Sequence, residues 1–322
     1  MALGALLTAC GGEQAWTTYT SDDGLASDAV ASVTVGNDGT VWAGTHAGAT
    51  SIAGERWTSH SPQDGPVGSL VVDVSVDGDD RVWAASTDGL ATFDGERWEA
   101  DGGAVSLPDW PASALTVAGD GRVLAGSDGL YRLEEDGQRW RRLPEGPDSV
   151  DYATLTVADD GTVWAAPDVV SGGQALFEYD GSDWTVHVTS EDPDADANPA
   201  GVLPGRLVRD VVVDADGTVW AGTDQGLASY DGEGWTHRGT EDGLPHAGVH
   251  ALAIDRDGGI WVATLEEGVS EPDHAVSRFD GESWVTYTTD DGLPDGWVED
   301  LAVGDDGSVW AATQSGLARY EH

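Results

Sequence analysis

The sequence contains no lysine. All 14 basic residues are arginine, set against 59 acidic residues, for a formal net charge of −45. A surface this negative repels phosphate backbones and anionic lipid, which excludes nucleic acid as a partner and leaves a covalent lipid as the only tie to a membrane. Cysteine occurs once, at Cys10, so no disulfide can form within the chain. No apolar stretch is long enough to cross a bilayer as a helix. The histidines lack the regular spacing of a metal motif, so no cofactor is expected from them. Disorder, the usual companion of such charge, is excluded by what is abundant: 39% apolar residues and 15 tryptophans. Two readings of the charge stand. One is the solvated surface of a salt-tolerant organism, where salt screens the self-repulsion; the other is capture of cations or cationic ligands.

The single cysteine lies in Leu7-Thr8-Ala9-Cys10-Gly11-Gly12, after the apolar run Met1 to Leu7. This resembles the bacterial lipobox, in which the cysteine is lipidated and becomes the mature N-terminus. The resemblance implies an extracytoplasmic, lipid-anchored protein with residues 1–12 as signal remnant and tether. No positively charged segment precedes the run, and the other reading is a free tail with an incidental thiol.

The rest of the chain, 13–322, reads as one domain built from a repeat. Apolar anchors at Val35, Val76, Val117, Val157, Val213, Ile254 and Val303 are each followed seven residues later by Trp42, Trp83, Leu124, Trp164, Trp220, Trp261 and Trp310. A second tryptophan follows in six copies, at Trp57, Trp98, Trp140, Trp184, Trp235 and Trp284. The seventh copy ends before its own. The missing piece stands at the start: Trp16-Thr-Thr-Tyr19-Thr-Ser-Asp-Asp-Gly24-Leu25 matches Trp284-Val-Thr-Tyr287-Thr-Thr-Asp-Asp-Gly292-Leu293, and each lies 19 residues ahead of the next anchor. The N-terminal segment is therefore predicted to be the outer strand of the last unit, closing a ring without a long exposed edge.

Each unit reads as four strands. An apolar run such as Ala251–Ile254 is followed by an Asp-Gly hairpin turn, expected to hold both central residues at positive φ. Thr-Val-Trp-Ala-Gly comes next, then a Gly-Leu corner, a third strand such as Gly226–Tyr230, a second Asp-Gly turn and a fourth strand around Trp235. Continuous apolar runs indicate strands buried on both faces. With 45 glycines and no sustained 3.6-residue period, a helical reading fails. The expectation is an all-β, seven-bladed β-propeller with four antiparallel strands per blade.

The pattern Val-x-x-Asp-Gly-x-Val-Trp-Ala-Gly-Thr-x-x-Gly-Leu-Ala-x-Tyr-Asp-Gly resembles the two-component regulator propeller repeat, over about Trp16 to Tyr320. That repeat occurs in periplasmic sensor halves of hybrid histidine kinases and in stand-alone secreted proteins. No kinase or receiver segment appears in this sequence, so a signalling role is not implied. A more distant likeness is to the streptogramin lyase propeller, an enzyme. The sialidase Asp-box has a different residue order, and no sialidase arginine triad is recognisable.

Length variation points to one face. Trp164 to Trp184 spans 20 residues and Trp261 to Trp284 spans 23, where 15 is usual; Trp184 to Val213 spans 29 in place of 19. The insertions, roughly 166–174, 264–275 and 189–206, fall on connections of one side, around blades 4 to 6. Variable loops on a rigid scaffold commonly carry function, though neutral drift of surface loops gives the same pattern. Two tryptophans, Trp110 and Trp297, are not required by the repeat and precede inner strands on that same side. The position four before each anchor holds Ala31, Val72, Ser113, Ala153, Arg209, His250 and Glu299. Three polar groups on consecutive blades converge toward the axis, with Arg206, Tyr152, His246 and His274 as expected neighbours. A cation, a base and a carboxylate suit binding of a polar ligand, or acid–base work by His250 and Glu299 as a lyase or hydrolase. They also suit a salt-bridge plug. Asp192, Asp194 and Asp196 alternate oxygen ligands as a calcium loop does, but the sixth-position glycine and the twelfth-position acid are missing, which favours a solvated acidic loop. The functions left open are a monomeric binding propeller for a glycan, peptide or protein ligand, an enzyme, and a protein–protein scaffold or sensor subunit.

Overall fold

The computed structural model describes residues 15–63, 68–100, 112–118, 123–127, 129–134, 139–144, 152–167, 175–190, 203–266, 273–294 and 296–321. The described strands form seven sheets in sequence order. Their inner strands are Val30–Val35, Val71–Val76, Ala114–Val117, Tyr152–Val157, Val208–Val213, Gly248–Ile254 and Val298–Val303. Each meets the next around the ring, and the first meets the last. This is the seven-bladed propeller expected. In blades 1, 2, 3, 5, 6 and 7 four antiparallel strands make the sheet; blade 4 gains a fifth, because Leu203–Pro204 pairs in parallel with Thr189–Ser190 on its outer edge.

The closure follows the repeat. Trp16–Tyr19 pairs antiparallel with Gly316–Tyr320, in the register Trp16↔Tyr320, Thr17↔Arg319, Thr18↔Ala318 and Tyr19↔Leu317. Trp16 is 1% exposed and packs edge-on to Trp261 at 6.4 Å between ring centroids. The seams between blades are filled in this way throughout: each second-strand tryptophan faces aromatic or aliphatic residues of the following blade. Close stacking also sets residue size. A Cβ added to Gly222 would lie 2.6 Å from Val249 Cγ1 of the next blade, so that position accepts no side chain.

The Asp-Gly turns differ from expectation. Only one residue of the turn takes a positive φ, a glycine such as Gly217 at +84° or, in blade 2, Asp80 at +59°, and Gly217 N–H donates to Asp214 O at 2.9 Å. This is the three-residue loop of a tight turn followed by a left-handed glycine, and the extra residue makes a doubly left-handed turn unnecessary. The leading aspartate supplies the rest. Asp214 Oδ1 accepts from Asp216 N and Thr218 N, and its Oδ2 accepts from Trp220 Nε1 at 3.0 Å. One carboxylate thus fixes the turn and orients the seam tryptophan.

Candidate functional site

In six blades the pairing of inner and second strands shifts register near the start of the inner strand: after Val30, Val71, Tyr152, Val208, Val249 and Val298. The skipped residues are Ala31, Val72, Ala153, Arg209, His250 and Glu299. The aligned positions of the sequence are therefore bulge residues, which drop out of the ladder and re-aim their side chains. The bulges lie at the strand starts, on the side carrying the long connections.

Arg209, His250 and Glu299 come from blades 5, 6 and 7. Burial, and secondarily the charge of Arg209, holds the His250 imidazole down at about 4, so it is neutral at physiological pH. Its ring stands 5.8 Å from that of Trp297, tilted by 57°. Trp297 remains 47% exposed. Its carbonyl accepts from Gln314 N at 3.3 Å, and the Gln314 amide donates to Glu299. The mouth of the ring thus gathers a guanidinium, a neutral imidazole, a hydrogen-bonded carboxylate and an open indole.

The other expected neighbours divide. Arg206 is exposed, with its backbone N–H on Asp224 Oδ1 at 2.7 Å. His246 is half-buried in the connection before the inner strand of blade 6. His274 is 4% exposed and shares a hydrogen bond with Pro294 O at 3.0 Å, so it serves the interior rather than the mouth. Tyr152 is 2% exposed and packs against Phe177 in the core between blades 3 and 4, away from the polar group. Trp110, Cys10, Asp192, Asp194, Asp196 and most of the three insertions lie outside the described residues. Among the described residues no three His, Cys, Asp or Glu side chains are grouped to hold a metal ion.

One residue further along each inner strand is a set the sequence reading missed. Asp300 Oδ2 accepts from Val33 N of blade 1 at 2.8 Å. Asp73 accepts from Ser32 Oγ of blade 1 and from Leu115 N of blade 3, the latter at 2.7 Å. Asp210 accepts from Thr154 Oγ1 of blade 4 and Leu252 N of blade 6, at 2.9 and 2.7 Å. These carboxyls stitch one inner strand to the next. Burial, reinforced by their mutual repulsion, pushes Asp73 to about 7 and Asp300 to about 8; Asp210 is raised by burial. The available signal was an acid inside an apolar run: Val-Val-Asp-Val, Val-Arg-Asp-Val and Val-Glu-Asp-Leu.

Fold and site together define a β-propeller with a polar, tryptophan-flanked mouth on its loop-bearing side. Residues 243–266 match the family model of the two component regulator propeller, so that segment is similar to that repeat. The extracellular domain of a putative hybrid two component system from B. thetaiotaomicron is similar, with a TM-score of 0.74 at 17% identity, covering 95% of this chain and 41% of that one. The present chain thus spans less than half of that domain. PorZ, a surface component of the type-IX secretion system of Porphyromonas gingivalis, gives a TM-score of 0.70 at 15% identity over 92% of this chain and 47% of its own. Virginiamycin B lyase from Staphylococcus aureus gives 0.67 at 15% identity, covering 95% and 97%. At these identities the likeness is one of fold. No curated protein matches by sequence. Among the described residues no helix is long and apolar enough to cross a membrane.

Proposed function

We propose that this propeller is an extracytoplasmic binding protein, anchored through Cys10, that holds a polar ligand at the mouth formed by Arg209, His250, Trp297 and Glu299. The observation that carries this reading is the half-exposed Trp297 ring set against His250 beside Arg209. An open indole offers a face for a sugar or planar group, and the guanidinium and carboxylate offer opposite charges to its polar substituents. Glycans and peptides both present such groups. The test is titration calorimetry of the full chain against oligosaccharide and peptide panels. Saturable binding, weakened at least tenfold by Trp297→Ala and by Arg209→Gln, supports the site; unchanged affinity in both variants removes it.

A lyase or hydrolase is the second reading. It is favoured by an imidazole that stays unprotonated at neutral pH, one blade from a carboxylate, in a fold that virginiamycin B lyase shares. Turnover of a bound ligand, abolished by His250→Ala, would select it over simple binding.

A further inference from the structure

The turn-bearing side of the propeller holds a second hollow, produced by a break in the repeat. The last full position of each third strand is occupied by Ile52, Phe93, Leu133, Tyr179, Tyr230, Phe279 and Tyr320. Where the ring is present, it fills the seam with the preceding blade. Phe93 lies 5.3 Å from Trp42, Tyr230 lies 6.1 Å from Trp164, and Tyr320 lies 5.4 Å from Trp261. At the seam of blades 7 and 1 the residue is Ile52, which packs in the same core as Trp310. The grooves at the seams of blades 1 and 2 and of blades 4 and 5, which hold Phe93 and Tyr230, measure about 370 Å³ each. The groove beside Ile52 measures about 670 Å³. Ile52 and Leu133 are the two positions without a ring, and of the three grooves compared the one beside Ile52 is the largest.

The walls of this groove are aromatic and its rim is acidic. Tyr19 lies 5.0 Å from Trp57 and stacks on Trp310 at 6.1 Å. Asp38, Glu55, Asp305 and Asp306 stand on the rim; Arg319 is the one basic residue of the lining, and Arg256 reaches Asp305 from outside it at 2.9 Å. The Arg319 guanidinium is already bound to Asp306 and Glu321, and it sits 5.2 Å from the Trp310 ring centroid. The seam of blades 5 and 6 holds a cation likewise: Arg238 lies 5.5 Å from Trp220 and 4.9 Å from Phe279. The protein thus uses its own cations on such rings in two places, as the attraction of a positive charge to an aromatic face allows.

We propose that the groove between blades 7 and 1 binds a small organic cation, with an alkylammonium or trimethylammonium head group against Tyr19 and Trp57 and the carboxylate of Glu55 beside it. Its charge matches the rim, and the surrounding surface of a chain with net charge −45 draws cations toward it. This site is on the opposite side from the mouth and stands or falls separately from it.

The test is calorimetry of the full chain with choline and with its uncharged carbon analogue, 3,3-dimethylbutan-1-ol, at low salt. Choline is expected to bind one-to-one and the analogue at least tenfold more weakly. Ile52→Phe, which restores the usual ring, should fill the groove and reduce choline affinity at least tenfold while leaving the thermal midpoint unchanged or higher. Glu55→Gln should weaken choline binding severalfold, and Trp297→Ala should not alter it. No choline binding at millimolar concentration, equal binding of the analogue, or undiminished affinity in Ile52→Phe with an intact fold would each overturn the proposal.

Discussion

Trp16 and Tyr320 are direct partners across the strand pair that closes the ring, with ring centroids 5.6 Å apart. Trp16 also contacts Tyr287 at 6.2 Å, so a residue from the start of the chain is a core member of blades 6 and 7. Trp16→Ala is therefore expected to destabilise the protein by about 3–5 kcal/mol, as deletion of a fully buried aromatic does. Trp57→Ala, whose ring is only partly buried, should cost less. Thermal or denaturant unfolding measures both, and an equal loss would contradict the special place of the closing strand.

The stitching carboxyls predict an unusual dependence on pH. In the folded protein Asp73 and Asp300 hold their protons up to about 7 and 8, whereas the unfolded chain releases them near 3.8. The folded state then binds more protons between these limits, so stability falls as pH rises through this range. Their contribution is fully present below the unfolded value and lost by about pH 8. Aspartates whose carboxylates cap turns, such as Asp231 and Asp280, are lowered instead, so their effect is confined to acid pH. Unfolding scans at constant salt should show a midpoint that drops from pH 5 to pH 9. In Asp300→Asn, which keeps an acceptor for Val33 N, that slope should flatten.

His250 owes its low protonation first to burial and second to Arg209. Removing the charge in Arg209→Gln should raise the imidazole above about 4 but leave it below its ordinary 6.5. An NMR titration of the ring carbon-bound protons reads this directly. A shift to the ordinary value would mean that the guanidinium, not burial, is the main cause.

Net charge makes its own prediction. With −45 charges on one chain, self-repulsion opposes the compact state and salt screens it. Raising sodium chloride from about 0.1 to about 2 M should raise the unfolding midpoint. Arg256, whose exposed ion pair with Asp305 spans 2.9 Å, contributes little of this, and Arg256→Gln should leave the salt response intact.

What was legible in the sequence were relations repeated from copy to copy. The match of Trp16–Gly24 to Trp284–Gly292 is such a relation, and the closing pair follows from it. The spacing of Val213 and Trp220 placed two strands and the turn between them. Relations between different copies were not legible. Whether residue 209 or residue 210 leaves the ladder depends on a pairing shift, so the polar bulge residues could be aligned while the half-buried acids beside them went unnoticed. Asp73, Asp210 and Asp300 occupy three of seven copies, with Ser32 and Thr154 at equivalent places. Only the blade-to-blade hydrogen bonds give that mixture a common purpose. His274 and Tyr152 show the converse: their chemistry suggested a site, but Pro294 and Phe177 claim them for the interior. The Ile52 groove was equally hidden, since a missing ring is informative only once the seam it should fill is seen.

The closing pair also orders events in the life of the chain. Thr17 leaves the ribosome about 300 residues before Arg319, its partner, a separation read from the register of the two strands. The strand Trp16–Tyr19 must wait for Gly316–Tyr320. Until that partner has been made, blade 7 lacks its outer edge and the circle stays open.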